Sequence, residues 1–515
     1  MIPALLAVII AFGIMGTAAV EVALTNLSIS GNIVKSQQAF NIAEGGLNYY
    51  MWHLNHNSTD YKDGQSTPTT QTSLGYGPYT HNYIDTNGVN EGTYTLWIKP
   101  ASTGSTIVTV RSIGQAANTN IKRTVEAQIG SPSFASYAVA SDSALWFGSN
   151  ETADGPISSN QGVRMDGPSN STVSSANATY VPSYQLGGDG NSHPGVWCNT
   201  AVTTPANCNS RSKSAWIYPV PQVDFNQVSS SLCTIKKAAF AANSATASLA
   251  NQANACTQVP STRTSSYLPE RSASYSQTRG YLIALNADGT YNLSYVNSEN
   301  DQASSYTSAL SLQSVATNVA IPSSGVIFAE DNVWVLSNPT YHGRVTIAAG
   351  RLASTNSSTY TDINVAGPLL YSTKNGSDAI GLIAQDSVNV MPYAPPSSGA
   401  FTFEIDGALL AENGEVWYPG SYRTNANRCT RGWTNANQQL LFYGSVATRQ
   451  TWTWNWLDGG GQCGDAAYDP SNGYISGIEN TTTSYDYNLE YAPPPSYPLT
   501  SGYNILSWRE ILTHP

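Results

Sequence analysis

Residues 1–20, MIPALLAVIIAFGIMGTAAV, contain no charged side chain, and the first basic residue in the chain is Lys35. At about 1.5 Å of rise per residue such a run is about 30 Å long as a helix, the thickness of a bilayer core. The helical period does not stop at Glu21. Val20, Leu24, Leu27, Gly31 and Val34 follow at steps of four and three, and Phe40, Ala43, Leu47, Tyr50 and Leu54 resume the pattern. The spacing predicts one helix over residues 1–55, about 80 Å long, with 1–20 apolar all round. The competing reading is an anchor followed by a separate amphipathic helix. A cleavable signal peptide or an ordinary signal anchor would have basic residues at or before the apolar run. Their absence predicts a leader already removed, with Met1 as the processed end. Ile2, Pro3, Leu5, Leu6, Ile9, Phe12, Val20, Leu24 and Leu27 are then the expected membrane or assembly contacts, and Gly13 and Gly16 the places where a neighbouring helix approaches closely.

The segment Ala43-Glu44-Gly45-Gly46-Leu47 that closes this helix, together with the leaderless apolar start, resembles type IV pilin-like proteins of the PilX-like group. The resemblance covers roughly the first 55 residues. It implies a subunit that waits in the membrane, is trimmed by a prepilin peptidase and is polymerised by a pilus assembly machinery. One family residue is missing: a glutamate at mature position five that neutralises a neighbour's amino terminus is replaced here by Leu5. Glu21 stands in its place as a candidate substitute.

Composition narrows the class independently. The chain has 515 residues with 22 basic and 33 acidic side chains, a net charge of −11 and only 11% charged residues. Soluble domains carry about 25%. Nucleic-acid binders need clustered Lys and Arg to displace phosphate counterions, which excludes that class. With 41% hydrophobic and 10% aromatic residues the chain is not disordered. Asn, Ser, Thr, Tyr and Gly in place of charge favour β-structure with many turns, an α+β chain that is mostly β.

Residues 56–135 carry strand patterns at Gly92–Ile98, Thr106–Val110 and Ile121–Ala127, expected to form a small antiparallel sheet on the helix. From 136 to 515 the pattern becomes short apolar bursts separated by Gly, Asn and Ser, among them Ala144–Phe147, Val326–Phe328, Val333–Val335, Val345–Ile347, Ile380–Ile383, Val388–Val390, Ala408–Ala411 and Val416–Tyr418. Such rungs predict a parallel β-helix, or β-solenoid. A β-sandwich is the alternative. This stretch also resembles the solenoid domains found downstream of such N-termini, including the ends around Tyr485–Leu489, Ala492–Pro495 and Ile505–Glu510. Between about 180 and 320 the rungs stop, which predicts an insertion. It holds a helical candidate, Phe225–Cys256, and a hairpin of Tyr281–Leu285 with Tyr291–Tyr295.

The six cysteines, Cys198, Cys208, Cys233, Cys256, Cys429 and Cys463, lack the close pairs of a zinc site and read as disulfides in an oxidising compartment. Sequence neighbours suggest 198–208, 233–256 and 429–463 among 15 connectivities. His53 and His56 alone stand at helical proximity, so no metal or other cofactor is expected. Glu330-Asp331 and Glu412…Glu415 are the candidate acids of a carbohydrate-active site, with exposed turn acids as the plainer reading. Asp458–Asp465 has the composition of a calcium loop or of a glycine-rich turn. Trp452, Trp454 and Trp456 alternate onto one strand face, as a sugar platform or as core. Sequons at Asn57, Asn150, Asn170, Asn177, Asn292, Asn356, Asn375 and Asn480 are candidate glycosylation positions on a surface protein.

The expected function is a structural pilin subunit of a type IV pilus-like filament, a homo-oligomer on the cell surface whose precursor lies in the cytoplasmic membrane. The alternatives are a minor or tip adhesin reaching a host-cell or surface carbohydrate, and a membrane-anchored β-solenoid carbohydrate-active enzyme.

Overall fold

The structure, a computed structural model, describes residues 2–57, 60–102, 105–148, 151–183, 186–199, 215–271, 274–300, 303, 305–391, 393, 401–419, 421–422, 426–427, 438–456, 476–478, 480–500 and 502–512. The chain divides into two units, residues 1–131 with 502–515, and residues 132–501.

The first unit is built on α1 (Ile2–His56), a single 55-residue helix. Pro3 lies in its first turn, where a missing N–H costs no hydrogen bond. The helix packs on an antiparallel sheet of β1 (Tyr76–Ile84), β2 (Asn90–Lys99), β3 (Val108–Ala116), β4 (Lys122–Gly130) and, as the fifth strand, Asn504–Ile511. Strict alternation in β2 and β3 directs Tyr94, Leu96, Ile98, Val108 and Val110 onto Ile42, Leu47, Tyr50 and Leu54 of the helix. The sequence indicated three of these strands. It missed β1, whose Tyr, His, Asn and Pro78 hide the alternation, and it placed 504–511 in the solenoid. That strand belongs to the first unit: it pairs with β4, and Arg509 bonds Glu126 while Glu510 pairs with Arg123. A short isolated segment cannot display its partner in sequence.

The second unit is dominated by two largely parallel sheets that share a common aliphatic core, an arrangement compatible with the expected solenoid. In the larger sheet one column runs through Val173, Ile157, Val139, Val446, Leu409, Leu382, Ile347 and Ile327, each in register with the next. All eight belong to one buried cluster. The strand order is not the chain order. From Val139–Ser141 the chain steps outward to Trp216–Ile217, crosses to Tyr267–Leu268 at the opposite end, and works back to Gln438–Thr448, which closes beside its starting strand. The second sheet stacks Gly280–Asn286, Asn332–Asn338, Ile363–Val365, Val388–Val390 and Val416–Trp417 in parallel. Asn389 Nδ2 donates to Asn364 Oδ1 at 2.9 Å, and Asn389 Oδ1 accepts from Trp417 Nε1 at 2.6 Å, so the stacked asparagine is held from both neighbouring rungs.

The insertion is shorter than expected. Gly280–Asn286 forms the foreseen hairpin with Thr290–Glu299, yet it also pairs in parallel with Asn332–Asn338. Its Tyr281, Ile283 and Leu285 enter the core, so the rungs resume well before residue 320. Helix Gln227–Ala241 lies on the outer face of the larger sheet, burying Val228, Leu232, Ile235 and Phe240 against Tyr267, Phe328, Ile383 and Leu410. Disulfide Cys233–Cys256 ties it to the following turn. Cys198 is disulfide-bonded as well, while Cys208, Cys429 and Cys463 lie outside the described residues.

Candidate assembly interface

Along α1 two chemical regimes meet. From Ala39 onward one side is buried, through Ile42, Ala43, Gly46, Leu47, Tyr50 and Leu54. Residues 2–34 are exposed on every side. Leu5, Leu6, Ile9, Phe12, Val20, Leu24 and Leu27 are each more than half exposed, with Phe12 at 68%. The helix is long and apolar enough to cross a membrane. Apolar side chains exposed in this number to water are uphill, because each gains about 1.5–3 kcal/mol on burial. No atom lies within 4 Å of a Cβ built on Gly13, Gly16 or Gly31. Glu21 is exposed among apolar neighbours, its carbonyl accepting from Thr25 Oγ1 at 2.7 Å. Met1 lies outside the described residues.

The Ala43–Leu47 motif has a packing explanation. A Cβ on Gly46 would sit 2.3 Å from Ser112 Oγ and 2.9 Å from the Tyr94 ring, and one on Gly45 would sit 2.6 Å from the Tyr83 ring. On the sheet side, a Cβ on Gly114 would meet the Ala39 carbonyl at 2.1 Å and the Ala43 nitrogen at 2.5 Å. Glycines on both partners bring helix and sheet backbones together, a pattern visible in the sequence only for the helix half. Ala43 and Leu47 are core, and Glu44 is half-buried.

At the helix end, His53 and His56 each have a hydrogen-bonding partner. His53 Nε2 pairs with Asp60 Oδ2 at 3.1 Å, and His81 Nε2 with Asp63 Oδ2 at 2.6 Å. Tyr50 donates to the Asp60 carbonyl at 2.8 Å and Tyr49 to Asp63 Oδ1 at 3.0 Å. The turn after the helix is thereby fastened to its last two turns. Burial acts upward on the Asp60 carboxyl, but the Lys62 and Gly64 backbone N–H groups and the His53 ring bring it below the usual range. His56 is bonded to the Trp52 carbonyl instead.

The acids singled out for catalysis are not exposed turn residues. Glu330, Asp331 and Glu412 are 1%, 4% and 6% exposed. Glu330 and Asp331 lie in the turn between Val326–Ala329 and Asn332–Asn338, and Glu412 in the turn between Phe401–Ala411 and Val416–Trp417. Glu330 is paired with Lys236 of the surface helix and accepts from Tyr267 Oη at 3.1 Å, while Lys236 Nζ also donates to the Cys256 carbonyl at 2.9 Å. Burial pushes Glu330 up to about 7, partly countered by Lys236. Burial, with Asp386 adding like charge, raises Glu415 to about 7, and Asp386 is raised to about 7 by burial and by Asp362.

Trp454 is buried at 3% and meets Trp452 edge-on at 5.8 Å, with Phe147 and Phe442 beside them, so this pair packs into the core. Among the sequons, Asn57, Asn170, Asn356 and Asn375 are exposed, but the Asn356 and Asn375 side chains already hold the backbones of Ser358 and Ser377. Asn177, Asn292 and Asn480 are half-buried. Asn292 accepts from Asn318 N and donates to Asn286. Asn150 and the Asp458–Asp465 loop lie outside the described residues.

No protein-family model and no curated protein matches this chain. Among solved structures, the crystal structure of the competence-associated pilin ComZ from Thermus thermophilus is similar over 93% of this chain and 98% of that chain, at 12% sequence identity and a TM-score of 0.27. At that score the likeness leaves fold and function to be argued from this chain's own residues.

Proposed function

We propose that this chain is a structural subunit of an extracellular type IV pilus-like filament. The observation that carries the reading is the continuity of α1: one rigid element is uncharged through Val20, exposed through Val34 and packed into a sheet from Ala39 onward. Such a helix rests in lipid before assembly and among copies of itself afterwards, exchanging one apolar environment for another. Water never sees it, so the filament does not dissociate on dilution. Glu21 then needs a partner inside the helical core, which a neighbour's amino terminus supplies. A prepilin peptidase and an assembly machinery are the partners this route requires, and the membrane is the site of the precursor.

Electron microscopy of surface appendages, with N-terminal sequencing of the purified subunit, tests the proposal. Leu6→Asp with Ile9→Asp should abolish filaments without unfolding the body; filaments made by that variant would overturn it. A second reading is a minor or tip subunit that meets a surface carbohydrate. Trace recovery in purified filaments supports the tip, and stoichiometric recovery the main subunit. A carbohydrate-active enzyme would need carboxylates that a sugar can reach, and Glu330 and Glu412 are buried.

A further inference from the structure

A sheet edge presents unpaired N–H and C=O groups that recruit another strand unless they are blocked by shortness, charge, proline or cover. Almost every described edge of this chain is blocked. The sheet of the first unit ends on β1, which contains Pro78, and on Asn504–Ile511, which carries Arg509 and Glu510. The larger sheet of the second unit ends on two-residue strands, Trp216–Ile217 and Tyr267–Leu268. The second sheet ends on one side at Val416–Trp417, where Trp417 is bridged by Thr453.

Its other end is Leu310–Ala320, eleven residues long, without proline and exposed along most of its length. No Asp, Glu, Lys, Arg or His occurs anywhere from Gln302 to Ala329. Val315, Ala316 and Val319 pack on the core, which fixes the strand in place. Leu312, Gln313 and Ser314 pair in unbroken register with Val296, Tyr295 and Ser294, so their outer side is a preformed edge.

We propose that this edge pairs antiparallel with the same strand of a second copy, an isologous contact about a twofold axis. The partner follows by elimination and by charge. A second copy has no other described edge that is both long and unblocked. Two chains of net charge −11 repel least where neither carries charge, and an uncharged strand offers nothing to a basic or acidic partner. A twofold contact closes on itself and cannot elongate a filament, so it joins two filaments side by side. Only that last consequence rests on the filament reading.

The test uses the full chain with single cysteines at Ser311, Leu312, Gln313 and Ser314, and an exposed control, Asn375→Cys. After mild oxidation, a covalent dimer is expected at one strand position, fading within two residues of it. Gln313→Lys should remove both the dimer and lateral bundling while single filaments persist. Dimer formation no greater than in the Asn375→Cys control would overturn the proposal, as would bundling that survives Gln313→Lys. Cross-linking in detergent reads the edge even if no filament forms: dimers without filaments would sink the filament reading alone, and filaments without dimers would sink the pairing alone.

Discussion

Gly130, the last residue of β4, and Asn504, the first of the fifth strand, are antiparallel partners, although the whole second unit lies between them in sequence. In topology the second unit therefore occupies the place of a hairpin loop in the sheet of the first. Replacing residues 132–501 by a two-residue Asn-Gly turn is expected to leave the first unit folded and able to assemble, because neither its helix contacts nor its strand register draws on the excised residues. Circular dichroism and electron microscopy of the short chain check this. A short chain with no cooperative melting transition would contradict it.

Gly114 tests the helix–sheet contact. Because its Cβ would strike the backbone of α1 rather than a movable side chain, Gly114→Val is expected to cost about 2–3 kcal/mol, the upper part of the overpacking range. Urea unfolding should show a lowered midpoint with an unchanged slope. Gly13→Ala, facing open space, should leave folding stability unchanged and act only on assembly.

Lys236 and Glu330 form a buried ion pair between the surface helix and the rungs. Removing one partner strands the other: Lys236→Met alone is expected to cost about 3–5 kcal/mol, whereas Lys236→Met with Glu330→Leu should recover most of it. Equal losses in the single and double variants, measured by denaturant unfolding, would refute the pairing.

Asp386 and Glu415 give the second unit an inverted pH dependence. Their carboxyls rise from 3.8 and 4.5 to about 7, by burial first and like charge second. A raised carboxyl binds its proton more tightly folded than unfolded. The contribution is therefore complete below pH about 4 and is lost as pH climbs towards 7. Melting temperature should be higher at pH 5 than at pH 8. Asp386→Asn with Glu415→Gln should flatten that difference and stabilise the protein at pH 8 by on the order of 1–2 kcal/mol, discounted for partial solvent access. A melting temperature that rises from pH 5 to pH 8 would count against this account.

Cys233–Cys256 closes a loop with a sequence separation of 23 around the helix that carries Lys236. Cys233→Ser with Cys256→Ser should cost about 2–4 kcal/mol, read as a drop in the melting temperature of the second unit.

The sequence by itself determined whatever depends on near neighbours. The uncharged run before Glu21 and the periodicity through Leu54 sufficed for α1, since helix hydrogen bonds and face are set within a few residues. The short bursts at 326–328, 345–347 and 380–383 sufficed for parallel rungs. Tertiary structure decided what depends on partners distant in the chain. Gly114 against Ala39 and Ala43, Glu510 on Arg123, and Val446 beside Val139 pair residues whose separation leaves no local signature. The Ser-rich strands Ile157–Ser159 and Val173–Ser175 are too short and polar to declare themselves; they are strands because stacked neighbours supply their hydrogen bonds. The turn acids looked solvent-facing because their polarity is local, whereas their burial is a property of the stack above and below them.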